Sequence, residues 1–326
     1  RDNIYTSTAF LEAQTRIHGE GGPTQAGGTR IVVPLGFGEH SNTTRLQTGY
    51  ERIDLSVSDV FQPAVYDMAH VVRPIAISSE EELTNQGDAA ILSILENRVT
   101  SVANALKREY VKQMVKGNVV GWEDWNTLNG IGSDATNGFL ENAAAGGGSQ
   151  DSSVGGVSKS TFSSKTGWNN QYFDGADSFN SNGLAGLYDL MVEIDAVSAQ
   201  GKPNVILASR SGFKNLKRAL QASERYMDEK SLDGGKMSTT FQGVPIDVEY
   251  YMPNDGTSSG TNEASFYFLN MNDIYTLWDP KGYFDLSDFE TVSGEYDVRA
   301  AKLRCRGQLI AKHLGSSGLA VNLDTF

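Results

Sequence analysis

The chain has 326 residues, of which 39% are hydrophobic and 10% aromatic, enough for a large core or two domains and too apolar for a disordered protein. A net charge of -13 makes the chain as a whole a poor nucleic-acid ligand and leaves only a local basic face for such a role. The single cysteine, Cys305, excludes an internal disulfide and suits a reducing compartment, and the lack of an apolar run near 18 residues or of a basic-then-apolar leader leads us to expect a soluble chain with no membrane partner.

Residues 1–29 show little periodicity, and the Gly- and Pro-rich stretch Gly19–Gly28 reads as an extended arm that gains order from a partner or as a frayed terminus. The chain opens on Arg1 rather than Met, which fits proteolytic processing or numbering from a mature residue. From Arg30 to Ile77 the pattern becomes β. TRIVVPL is a β-branched run, and Ile53, Leu55 and Val57 alternate with Arg52, Asp54, Ser56 and Ser58. With a turn-rich stretch between them, these segments predict a long two-stranded excursion, marginal alone and expected to lie on something else.

The segment Ser79–Gly117 carries the longest helical signal. Ile91, Leu95, Val99, Val102, Leu106, Tyr110 and Met114 recur at steps of three and four and predict one apolar face of a helix from Asp88 to Lys116, roughly 40 Å long. Ser79 and Glu82 have capping-box spacing, Asn85 is an alternative N-cap, Gly87 is a weak point, and Gly117 stands where a left-handed C-terminal cap belongs. Lys107, Arg108, Lys112 and Lys116 form a basic end. A solvated face complementing the helix dipole is the plainer reading, and a row facing phosphates is the sharper one.

Gly, Ser and Asn dominate from about Gly121 to Asn182. Trp122, Trp125, Phe139, Trp168, Tyr172 and Phe173 punctuate this stretch, so we expect a surface excursion pinned by aromatics. A helix follows with Leu184, Leu187, Tyr188, Met191 and Ile194 on one face, started by Ser181 or Asn182 and stopped by Gly201 and Pro203. NVILAS is a short buried-type strand, RSGFKNLKRALQAS a second helix with Phe213, Leu216 and Leu220, and the remainder is strand-rich. Strands coming after helices make the fold class α+β rather than a doubly wound parallel sheet.

Chemistry is sparse. His18, His40, His70 and His313 are scattered and match no zinc spacing, the Gly-rich places lack the nucleotide-loop pattern, and Ser209 precedes Arg210 without the surroundings of a nucleophile elbow. The acidic run Asp285–Glu290 reads as a solvated loop rather than a calcium site. We therefore expect no catalytic residues, no metal and no cofactor.

Taken together, the arm, the hairpin from Arg30 to Ile77, the long helix, the segments Arg73–Leu83, Gly201–Leu220 and Phe241–Val248, and the closing run Val298–Leu323 make the chain resemble tailed-bacteriophage major capsid proteins of the Hong Kong 97-type fold. The resemblance implies an arm (1–29), an extended hairpin loop (30–78), a peripheral domain with a spine helix and the Gly/Ser/Asn-rich excursion (79–180), an axial domain (181–296), and C-terminal strands (297–326) returning to the peripheral domain. It further implies a structural protein, not an enzyme, assembling with itself as pentamers and hexamers into an icosahedral virion shell around double-stranded DNA, after a stage in the host cytoplasm. Scaffold, portal and cement proteins are further implied partners.

Some family members join subunits through a hairpin lysine. No lysine precedes Lys107 here, so a shell without such cross-links is expected, with Arg45, Glu51, Arg52 and Asp54 as candidate intersubunit contacts. The basic row is then a candidate interior or DNA-facing feature. The alternatives are a cellular nanocompartment shell of the same fold and, more weakly, a hydrolase with its site in the excursion.

Overall fold

A computed structural model describes residues 9–36, 45, 47, 49–50, 52, 61–84, 88–130, 138–140, 153–159, 168–175, 178–198, 201–221, 230–231, 237–253, 264–292, 297–323 and 326. In chain order the elements are α1 (Ala9–His18), β1 (Arg30–Gly36), β2 (Phe61–Asp67), β3 (Ala69–Ser78), α2 (Ser79–Thr84), α3 (Asp88–Val115), β4 (Thr127–Asn129), β5 (Gly138–Leu140), β6 (Ser153–Val154), β7 (Val157–Ser158) and β8 (Gln171–Asp174). They continue with α4 (Phe179–Val197), β9 (Val205–Ala208), α5 (Arg210–Gln221), β10 (Lys230–Ser231), β11 (Met237–Phe241), β12 (Val244–Val248), β13 (Ala264–Leu269), β14 (Ile274–Trp278), β15 (Asp285–Leu286), β16 (Glu290–Thr291), β17 (Val298–Ala311) and β18 (Gly318–Val321).

The long helix forms as its periodicity predicts, ending at Val115. Gly117 takes φ +83° and returns its N–H to the carbonyls of Lys112 (3.2 Å) and Gln113 (3.1 Å), the left-handed C-terminal cap. The start differs from expectation. Ser78 caps α2, its Oγ accepting the Glu81 N–H at 3.3 Å, while Ser79 donates its hydroxyl to Asp297 Oδ1 at 2.6 Å. Asn85 and Gly87 lie outside the described residues. Burial is also uneven along the helix. Leu106, Tyr110, Val111, Met114 and Val115 are buried, whereas Leu95, Val99 and Val102 are only half-buried.

Two larger sheets stand beside three two-stranded ones, β1–β2, β4–β5 and β6–β7, among the described residues. In the first, β17 is the organising strand. It pairs antiparallel with all of β3, from Ala69↔Gly307 to Ser78↔Val298, and on its other side with β14, β15 and β16. Residues near the C-terminus thereby complete the unit that carries α3, against which Arg73 of β3 pairs with Glu109 at 2.8 Å. The second sheet has the order β10-β11-β12-β9-β13-β18-β8. Leu187, Leu190, Met191 and Ile194 of α4 and Leu216 of α5 cover one face over Ile206, Ala208, Phe266 and Phe268. The other face, with Val205, Leu207, Tyr267 and Leu319, joins the larger core, where the Tyr267 hydroxyl donates to the Val115 carbonyl at 3.0 Å. The last strand, β18, thus lies in the second sheet, where β8 pairs parallel to it.

Three segments depart from expectation for physical reasons. Residues 9–18, expected within an arm, form α1, which buries Phe10, Leu11, Ala13 and Gln14. Its first-turn Phe10 N–H points at the buried carboxylate of Glu249 at 3.4 Å, where an anion complements the helix dipole. The excursion is less superficial than expected, since Trp122, Trp125, Phe139 and Trp168 are fully buried. Tyr110 meets Trp125 edge-on at 5.9 Å and Trp278 at 5.1 Å, so the aromatics are the core itself. Helix α4 begins at Phe179 behind Ser178, and its Tyr188 stays 43% exposed while lying 4.7 Å from the Phe241 ring.

Candidate assembly surfaces

The ribbon β1–β2 is the base of the expected hairpin. Its register, with Ile31 opposite Tyr66 and Val33 opposite Ala64, turns alternate residues inward. The ribbon is fastened to its own subunit at four points, through inward side chains and the backbone. Val65 N–H donates to the Gly155 carbonyl (2.9 Å) of the β6–β7 tab, the Tyr66 hydroxyl donates to the Ala311 carbonyl (3.0 Å), and the Tyr66 ring lies 6.0 Å from Phe139. The fourth is Gln308. Its side chain donates to the carbonyls of Asp67 (2.8 Å) and Asp124 (2.9 Å) and accepts the Asn126 N–H (2.9 Å), so one amide ties hairpin, excursion and β17 together. A cavity of about 650 Å³, lined by Tyr66, Asp67, His70, Asp124, Phe139 and Gln308 among others, opens beside this junction.

The outward face has the opposite character. Val32 (60% exposed) stands across from Val65 (37%), Pro34 from Pro63, and Phe61 (69%) beside Gly36, with an Arg30–Asp67 ion pair of 2.8 Å at the inner end. Contiguous exposed apolar residues on a paired ribbon are a signature of an interaction surface. Arg45 and Arg52 are exposed, while Glu51 and Asp54 lie outside the described residues.

The basic residues at the C-terminal end of α3 and just past it separate into two kinds. Lys107 sits over the Phe284 ring at 5.8 Å and Lys112 over Tyr251 at 5.0 Å, contacts that pack the ammonium groups against core aromatics. Arg108 is half-buried with its Nε shut off from water and without an acceptor, and Lys116 is exposed.

The remaining sequence candidates resolve into structural roles. Ser209 caps α5 by accepting the Gly212 N–H at 3.0 Å. His18 donates from Nε2–H to the Met271 carbonyl at 2.7 Å, since a carbonyl oxygen can only accept. His313 accepts the Ser316 N–H, and burial lowers its basicity against the opposing pull of Asp273. His70 is exposed and lines the cavity, and His40 lies outside the described residues. Asp285 and Glu290 belong to short strands on β17, and among the described residues no group of three or more His, Cys, Asp or Glu could hold a metal ion. No described helix is long and apolar enough to cross a membrane. Gln308 and Gln113, which ties Val119 and Trp125 to α3 through its amide, were missed by sequence reasoning; the available signal was, for Gln308 alone, an amide at the head of the apolar run LIA.

No family model and no curated protein sequence matches the chain. Solved structures do. The capsid asymmetric unit of cyanophage A-1(L) matches with a TM-score of 0.67 at 14% identity, over 99% of this chain and 94% of that one. The capsid of the native GTA particle matches at 0.59 and 14% identity over 99% and 93%. The SrpI encapsulin of Synechococcus elongatus matches at 0.57 and 12% identity over 99% and 93%. The Hong Kong 97-type capsid fold expected from the sequence is the fold of this chain.

Proposed function

We propose that the chain is a major capsid protein, the structural subunit of an icosahedral virion shell around double-stranded DNA, built from pentamers and hexamers of itself. The observation that carries this reading is the ribbon. Its inner face is fastened to its own subunit while Val32, Phe61 and Val65 face outward, on a fold that capsid proteins share over nearly the full chain. A second copy covering that face gains hydrophobic burial with no loss of the subunit's own core, and many such modest interfaces close a shell cooperatively.

In this reading residues 30–78 reach over a neighbour, with Arg45, Glu51, Arg52 and Asp54 as charged contacts, 79–180 form the peripheral region around α3, 181–296 the axial region, and 297–326 the returning strands. Residues 1–29 remain an arm whose α1 is docked at home. Scaffold, portal and cement proteins are partners in the host cytoplasm and the virion, and the chain has no catalytic role.

Electron microscopy of the purified protein tests the proposal. Closed shells or capsomers are the expected result, and a lone monomer with hydrolytic activity overturns it. Dissociation of the particles to single chains in a hot denaturing gel is expected as well, because no lysine precedes Lys107; a ladder of covalent multimers contradicts that. The encapsulin match favours a second reading, a nanocompartment on the same fold, which enclosed protein instead of enclosed DNA would establish.

A further inference from the structure

Arg108 and Lys112 of α3 and Lys116, one residue past its end, follow one another at four-residue steps, a ridge about 12 Å long at about 1.5 Å per residue. The acids around it are committed elsewhere. Glu109 is paired with Arg73 (2.8 Å), and the buried Glu249 accepts the N–H groups of Phe10 and Tyr251. Among the described residues no carboxylate pairs with any of the three. Complementing the helix dipole accounts for cations near the C-terminal end. It does not account for Arg108, which stands two turns before the end of α3 and has no carboxylate partner among the described residues.

We propose that this ridge is a phosphate-contacting row for duplex DNA. Three cations at equal steps suit a linear polyanion with regularly spaced charges, and a chain of net charge -13 can hold DNA only through such a local row. Lys112 is held at its place by the Tyr251 ring, which fixes the middle of the row. Lys107, which stands beside the four-residue series and not in it, is not part of the row. The inference deepens the capsid reading by naming where the subunit meets its cargo.

The test is binding of a short fluorescently labelled DNA duplex to the purified full chain across a salt series. Three phosphate contacts give a slope of log affinity against log salt of about -2.7. Lys116→Gln should reduce that slope by about 0.9, the combined Arg108→Gln, Lys112→Gln and Lys116→Gln should abolish it, and Lys107→Gln should leave it unchanged. Lys116 is exposed, so its variant reports even where the triple variant does not fold. Lack of duplex binding by the parent protein overturns the proposal, as does an unchanged slope in Lys116→Gln. Variants that keep DNA binding and lose subunit association in sedimentation also overturn it, assigning the ridge to carboxylates of a second copy. Closed shells that ignore DNA sink this inference alone, whereas DNA binding by a chain that forms no shell sinks the capsid reading alone.

Discussion

Gly307 is the point where two strands and the aromatic core approach within a methyl group of one another. A Cβ there would stand 2.6 Å from the Leu277 carbonyl oxygen, 3.1 Å from Trp278 Cε3 and 3.2 Å from Trp125 Cη2. The first of these is backbone held in the β14–β17 ladder, so it cannot yield without breaking the pairing of Trp278 with Gly307. Gly307→Ala is therefore expected to lose about 2 kcal/mol in denaturant unfolding, the opposite of the gain that replacing a strand glycine usually brings. Nothing in LRCRGQLIA marks this glycine as different from any other, because the crowding comes from residues 30 and 182 positions away. The buried phenols make a second prediction at this scale. Burial raises the pKa of Tyr66, Tyr110 and Tyr267, with hydrogen bonds to Ala311 and Thr276 opposing it weakly for the first two. A raised folded-state pKa means the native state holds its proton longer than the unfolded one. The associated stability is complete below about pH 10, the ordinary phenol value, and is lost as pH climbs above it. Titration followed by phenolate absorbance should show these tyrosines ionising only together with loss of native circular dichroism; smooth ionisation in the intact fold would count against their burial.

At the scale of elements, legibility follows length. The 28-residue α3 carries enough repeats of its apolar face, and a glycine at the right terminal position, to be placed within a residue at its C-terminal end. The ribbon is legible by half: the β-branched run TRIVVPL becomes β1, whereas its partner is Phe61–Asp67, and the strand expected around Ile53, Leu55 and Val57 lies outside the described residues. Helix α1 is hidden for the reverse reason. Ten residues give under three turns, flanked by polar and Gly-rich chain, and most of its stability comes from tertiary burial. Phe10 is fully buried against Tyr110 with ring centroids 6.4 Å apart, while Gln14 and Tyr110 share a hydrogen bond of 3.3 Å. Phe10→Ala should accordingly lower the unfolding free energy by about 3 kcal/mol. A loss below about 0.5 kcal/mol, the range of a surface change, would return α1 to the status of a loosely held arm. The excursion was illegible in its path for a related reason. Its aromatics announce burial, but their partners Tyr110 and Trp278 lie on opposite sides of it in sequence, and no local pattern encodes that meeting.

At the scale of the whole molecule, the question is what the ribbon is for. A two-stranded ribbon is marginal alone, and this one solves half of that problem within its own subunit, through Gly155, Ala311 and Gln308. Those anchors use inward side chains and the backbone, and none uses an outward side chain. Replacing Val32 and Phe61 together by Lys changes two side chains that the subunit core does not touch, so the melting temperature of the isolated subunit should stay within about 2 °C of the parent. The same pair of charges placed against a neighbour's surface must be desolvated without partners, a cost that recurs at every interface of a closed assembly. Sedimentation should therefore show capsomers or single chains where the parent forms shells. A melting temperature that falls steeply would instead mean that the outward face belongs to the subunit's own core, and shells of normal size would mean that it stays solvated in the assembly. Either outcome removes the ribbon from the assembly surface, and with it the reason the sequence maintains apolar residues on both faces of a strand pair that needs only one.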